Sequence, residues 1–131
     1  MQNKLKRLGD AELEIMLVIW RTGVPVTAST ILEKLRGRRN WALSSLMTAL
    51  SRLCEKGFVH CDRSTRTNLY SAVISERAYK EQEGRSFLKK LYGNSLQNFV
   101  MTLYDANAIS EREIDELRTL FDELERQRND G

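Results

Sequence analysis

The stretch WALSSLMTALSRLCEKGFV, residues 41–59, decides the fold. Leu43, Leu46, Leu50 and Leu53 recur at helical spacing, which predicts a buried stripe on a helix running from about Leu43 to Lys56 and closed by Gly57. The opposite face carries Ser44, Ser45, Thr48, Ser51 and Arg52, with no acidic residue before Glu55. A solvated helix face usually mixes Lys with Glu. Short hydroxyls beside an arginine suit a helix pressed into the major groove of DNA, where bulky or acidic side chains would clash with the duplex or repel its phosphates. The same set also fits a mildly polar helix packed on another subunit, because base contacts require no unique residue types.

Downstream of Gly57 the period changes. Phe58 and Val59 begin one extended stretch and Leu69 and Tyr70 belong to another, so the chain between them forms a hairpin. No glycine marks its tip, which predicts a long loop in place of a tight two-residue turn. Arg63 and Arg66 stand near that tip with Thr65, Thr67 and Asn68, a set able to donate to phosphate oxygens.

Upstream, Leu13, Met16, Leu17 and Trp20 mark one face of a helix that starts at Gly9 or Asp10 and is ended by Gly23 and Pro25. Thr27 is a good N-cap for a shorter helix that buries Ala28, Ile31, Leu32 and Leu35 and stops at Gly37. A basic joint, Arg36, Arg38 and Arg39, leads to Trp41. Three helices and a hairpin, with cations on the third helix, the joint and the hairpin, spell a winged helix-turn-helix over residues 1–74.

Residues 75–131 read as helix throughout. One helix opens at Ser75 or Glu76, carries Tyr79, Phe87, Leu88, Leu91 and Tyr92, is interrupted by Gly84 and ends near Gly93. A second starts at Ser95 with Leu96, Phe99, Val100 and Leu103 on one side. A third is announced by the capping-box pattern of Ser110 through Glu113 and carries Ile114, Leu117, Leu120, Phe121 and Leu124. So much apolar surface on three short helices calls for another surface. A second copy of the chain can supply it, which makes this a dimerisation region; folding back onto the winged helix of the same chain is the alternative. The fold class is thus mainly α with a small β wing, a winged helix-turn-helix followed by a helical dimerisation region.

Composition sets the outer limits. The 131 residues, 41% hydrophobic and 30% charged, are too apolar for disorder and fit one small domain, or one domain plus an oligomerisation appendage. The net charge of +3 hides an asymmetry. Residues 1–72 hold 12 Lys/Arg against 6 Asp/Glu, and residues 73–131 hold 9 against 12, so the amino-terminal half suits a polyanion. The uncharged run from Ile15 to Trp20 is far short of the roughly 20 apolar residues of a membrane span, and the basic Lys4 to Arg7 precede no signal-type apolar segment. A cytoplasmic protein without membrane partners is expected, with Cys54 and Cys61 as reduced thiols. With His60 they fall short of the four ligands of a zinc site, so neither metal nor cofactor is expected. No Gly-rich phosphate loop, metal-ligand set or nucleophile–histidine pairing is visible, so no catalytic residue is assigned and the chain is read as a non-enzyme.

The order of these pieces resembles the penicillinase and methicillin-resistance repressor family. The resemblance is carried by the A-E-x-E-x-M-x-x-x-W pattern of Ala11 to Trp20, by Trp41-Ala42-Leu43-Ser44-Ser45-Leu46-Met47-Thr48, by Arg52-Leu53-Cys54-Glu55-Lys56-Gly57, by Arg66 to Tyr70 and by the acidic last helix, over about residues 8–125. It implies a homodimeric repressor seated on a pseudo-palindromic DNA operator. Ser44, Ser45 and Thr48 would face bases, and Arg52 would anchor to the backbone with Arg63 and Arg66 of the wing; Arg38 and Arg39 of the joint are further backbone candidates. Trp20 and Trp41 fall where the family keeps tryptophans and are read as core and positioning residues. Ala42 stands where relatives can supply a capping serine, which weakens the start of the third helix. In the best-known relatives a signal-activated protease cuts an Asn-Phe bond; the matched position here is Thr102-Leu103, with Asn98-Phe99 four residues earlier, so proteolytic relief is left open. A copper-responsive branch carries a terminal cysteine cluster, and this chain has no cysteine after Cys61. A winged helix that binds another protein, without sequence-specific DNA reading, is the alternative function.

Overall fold

The computed structural model describes residues 6–130; Lys4 and Leu5, part of the basic start, lie outside the described residues. The chain divides into two compact units, Met1–Gly84 and Arg85–Gly131.

In the first unit, α1 (Asp10–Thr22) starts where Gly9 N donates to Glu12 Oε1 at 3.1 Å, and it ends at Gly23, whose left-handed φ of 74° suits glycine. Helix α2 (Ala28–Lys34) is capped by Thr27, whose Oγ1 accepts from Thr30 N at 3.2 Å. Ile31 and Leu35 are fully buried, while Ala28 and Leu32 only lean on the core. Helix α3 (Leu43–Glu55) buries Leu46, Leu50 and Leu53 completely. Leu43 is a correction to the expected stripe, being 54% exposed. At that end of the helix Trp41 packs against the core instead, which leaves Leu43 on the solvent side.

Gly57, at φ 84°, turns the chain out of α3 while Phe58 N donates to Leu53 O at 3.0 Å. Strands β1 (Val59–Asp62) and β2 (Leu69–Ala72) pair antiparallel, with Cys61 opposite Tyr70. The six-residue loop between them matches the missing glycine. Asp62 Oδ1 accepts from Ser64 N at 2.9 Å and Ser64 Oγ at 2.6 Å, so a side chain makes the turn. Val26 bridges to Tyr70 through hydrogen bonds of 2.9 and 2.7 Å, which ties the approach to α2 to the wing.

Helix α4 (Glu76–Tyr92) runs unbroken through Gly84, contrary to the expected interruption: nothing crowds that position, and a single glycine costs a helix interior only about 1 kcal/mol. Its first turns complete the winged-helix core. Tyr79 is buried against Trp20 and Phe58, at ring-centroid distances of 5.9 and 5.8 Å, and its hydroxyl accepts from Leu8 N at 2.9 Å. Trp20 Nε1 donates to Ile74 O at 2.8 Å. These contacts explain why the first compact unit reaches past residue 74.

The second unit holds the end of α4, α5 (Leu96–Asp105) and α6 (Glu111–Asp130). Ser95 Oγ caps α5 by accepting from Asn98 N at 3.1 Å. The capping box of α6 is formed in both directions, Glu113 N to Ser110 Oγ at 3.1 Å and Ser110 N to Glu113 Oε1 at 3.0 Å. Phe99 lies 5.4 Å from Phe87 and 5.1 Å from Tyr92, ring to ring. Neither α5 nor α6 contains a buried residue. Among the described residues no helix is long and apolar enough to cross a membrane.

Candidate nucleic-acid interface

Full burial of Leu46, Leu50 and Leu53 fixes which side of α3 faces outward. Ser44, Ser45, Thr48, Ser51 and Arg52 are all exposed there, joined by Leu43 and Met47, and α3 has no acidic residue in its first turn. Thr48 Oγ1 donates to Ser44 O at 3.0 Å. That bond uses its proton and leaves a lone pair and a methyl group facing out, able to accept from a base amine or to touch a thymine methyl. Ala42, at the N-cap, supplies no side-chain bond, as expected from its lack of an oxygen.

The wing comes to the same side. A cleft of about 320 Å³ is lined by Ala28 and Ser29 at the start of α2, Met47 of α3, and Arg66, Thr67, Asn68 and Tyr70 of the hairpin. Arg66 therefore borders α3, and Arg63 is exposed on the same loop. Asp62 does not oppose them by ion pairing; the Ser64 hydroxyl and amide lower its carboxyl below the usual range, and it is spent on the turn.

Two arginines of the joint, Arg38 and Arg39, behave differently from these. Arg39 is held by Glu14 of α1, whose Oε2 accepts from its Nε at 3.0 Å and its Nη2 at 2.9 Å, so its charge is already partnered. Arg38 shares a separate cavity of about 250 Å³ with Leu17, Val18, Arg21, Thr22 and Lys34 and is not among the residues lining the wing cleft. Glu12 likewise ties α1 to the end of α3, accepting from Lys56 Nζ with both oxygens at 2.8 Å. Burial alone would raise the Glu12 carboxyl, but the Lys56 ammonium and the Gly9 N–H outweigh it and hold the group below its ordinary value. Neither pairing was visible in the sequence, where Glu12 and Glu14 stand only as part of the A-E-x-E pattern of Ala11 to Trp20.

The thiols Cys54 and Cys61 are free and half-buried, and burial followed by the neighbouring Cys61 pushes the Cys54 thiol up. His60 is exposed on β1. Among the described residues no group of three His, Cys, Asp or Glu converges as a metal site.

In the second unit Leu96, Leu120, Phe121 and Leu124 are each about half exposed, at 48–53%. Val100, Leu103, Ile114 and Leu117 are half-buried, and Phe99 stacks within its own chain. Met101 and Tyr104 add exposed apolar surface that the sequence reading passed over, although Tyr104 continues the helical spacing from Val100.

Three helices, an antiparallel hairpin closing on the third of them, and an appended helical unit define a winged helix-turn-helix regulator fold. The chain belongs to the penicillinase repressor family, whose model matches residues 8–123. It is 30% identical over 120 residues to the penicillinase repressor of Bacillus licheniformis, covering 92% of this chain and 93% of that one. It is 27% identical over 121 residues to the methicillin resistance regulatory protein MecI of Mammaliicoccus sciuri, covering 92% and 98%. Among solved structures it is similar to monomeric Bacillus licheniformis BlaI in complex with the blaP half-operator, with a TM-score of 0.50, 30% identity, and coverage of 58% of this chain and 92% of that chain. The DNA-binding domain of the repressor BlaI gives a TM-score of 0.51 at 29% identity, covering 60% and 94%.

Proposed function

We propose that this protein is a DNA-binding transcriptional repressor that acts as a homodimer in the cytoplasm, without enzymatic activity. Two α3 helices enter successive major grooves of a pseudo-palindromic operator, two wings grip the flanking backbone, and occupancy blocks transcription. The observation that carries this reading is the outward face of α3, hydroxyls and Arg52 without an acid before Glu55, with Arg66 of the wing at its border. A relative solved on its half-operator supports the docking mode. Ser44, Ser45 and Thr48 read base edges; Arg52, Arg63 and Arg66 contact phosphates. Arg38 is a further backbone contact, and Arg39 contributes less because Glu14 holds it.

Dimerisation falls to the second unit. Leu96, Leu120, Phe121 and Leu124 are exposed in a single chain at the positions a partner helix would cover. Relief of repression by a signal-activated protease is the route of the best-known relatives; here Thr102-Leu103 stands at the matched position in place of Asn-Phe, and Thr102 is exposed on α5.

Fluorescence anisotropy against DNA from the protein's own upstream region, beside scrambled DNA and across a salt series, tests the function. Neutralising six to ten phosphates predicts a fall in affinity of about 10³–10⁵ between 50 and 200 mM salt, with two chains per site. Exposed Leu43 and Met47 on the same face favour the other reading, a winged helix that binds protein. A shallow salt response would favour that reading; equal weak binding to both DNAs would call for selection from random DNA, which separates it from an operator located elsewhere.

A further inference from the structure

Helix α3 has a poor start of its own: Ala42 gives no side-chain cap, and the first turn has no acid. It is nevertheless bracketed by two cations just outside it, Arg39 before its first turn and Lys56 at its C-cap. Both are held by carboxylates of α1, Arg39 by Glu14 and Lys56 by Glu12. The Lys56–Glu12 pair is part-buried, and in the other pair the carboxylate is the sheltered side, the Arg39 side chain being 47% exposed. The Glu12 and Glu14 side chains are only 15% and 22% exposed, the Lys56 contact uses both carboxylate oxygens, and Glu14 Oε1 is buried with no hydrogen-bond partner. Two carboxylates in a unit meant to approach a polyanion oppose binding by long-range Coulomb repulsion, so affinity alone does not account for them.

We infer that Glu12 and Glu14 are positioning residues for base reading: by holding Lys56 and Arg39 they set the tilt and rotation of α3, and thereby its sequence preference, not its overall grip on DNA. The inference rests on the DNA-reading function proposed above. It predicts an effect opposite in sign to simple electrostatics. Removing a negative charge should tighten every DNA equally if charge is all that matters; removing a clamp should weaken the preferred sequence alone.

The test uses the full chain with Glu12→Gln and Glu14→Gln, each measured against the sequence that wild type selects from a random DNA pool and against scrambled DNA, with melting temperature alongside. Each variant should lose about tenfold on the selected sequence, roughly the loss of one good base contact, and bind scrambled DNA as well as wild type or slightly better. Equal tightening on both DNAs overturns the inference, as does equal weakening on both accompanied by a lowered melting temperature. The double variant Glu12→Gln/Lys56→Gln should lose no more than either single change; additive losses would show that Glu12 does not act through Lys56. If wild type selects no sequence, the proposed function fails, and amide hydrogen exchange of the free protein still decides the clamp. Faster exchange confined to α3 in both glutamine variants supports it, and unchanged exchange overturns it.

Discussion

The two units of this chain spend their apolar residues in opposite ways. Among the described residues the winged helix buries fifteen hydrophobic ones, from Leu8 to Tyr79, in one core made by its own chain. Helices α5 and α6 bury none, although their sequences carry as regular an apolar stripe as any in the first unit. Local helix rules are satisfied in both, through side-chain caps at Thr27, Ser95 and Ser110. What differs is the partner for the stripe. Helices of 10 and 20 residues gain most of their stability from packing, and the proposed dimer would give the second unit the surface that its exposed stripe lacks.

The sharpest way to break this contrast is to charge the uncovered stripe. Leu120→Glu with Phe121→Glu should abolish dimerisation and lower affinity for a two-half-site operator by about 10²–10⁴-fold, while each winged helix still folds and binds single half-sites weakly. Binding titrations on whole and half operators check it. Next in size, Leu50→Ala in the first unit should cost about 2–5 kcal/mol in denaturant unfolding, because a fully buried side chain leaves a cavity. The same truncation at half-exposed Leu124 should cost much less in the dissociated chain and become costly only when two chains are present.

Smaller effects separate roles on the reading face. Thr48→Ala should lose about 1–3 kcal/mol of preference at particular base pairs, and Arg52→Ala should weaken all DNA about equally and reduce the salt slope by about 1. Competition binding with a panel of single-base operator variants distinguishes the two. The smallest effect concerns pH. Because the folded protein holds the Glu12 carboxyl below its ordinary value, the Glu12–Lys56 pair contributes fully above the unfolded carboxylate range, and its contribution disappears as pH falls through the lowered value. Urea midpoints followed from pH 7 downward should show this loss in wild type and a flatter acid limb in Glu12→Gln.

Features set by neighbours in sequence were legible from the residues. Thr27, Ser95 and Ser110 cap the helices they precede, Gly57 turns the chain out of α3, and the absent glycine between β1 and β2 foretold a long loop. What escaped depends on residues far apart in the chain. Leu43 fits the leucine period, yet it faces solvent because Trp41 holds that end of the core. Gly84 breaks the pattern without breaking the helix, since one glycine is a small penalty in 17 residues. Phe99 keeps the stripe's spacing but stacks on Phe87 and Tyr92 of its own chain. Arg39 looked like one more phosphate-binding cation, and only the fold brings it to Glu14, 25 residues away. The hydroxyl face of α3 was readable for the opposite reason: Leu46, Leu50 and Leu53 set the phase of the helix, which turns Ser44, Ser45, Thr48, Ser51 and Arg52 outward.

Sedimentation equilibrium of the full chain, alone and with a duplex carrying its preferred site, tests the central claim most directly. A dimer gives twice the mass of one chain in the absence of DNA at micromolar concentration, and two chains per duplex in the complex. A folded species with the mass of one chain, binding the duplex one to one with undiminished affinity, would contradict it.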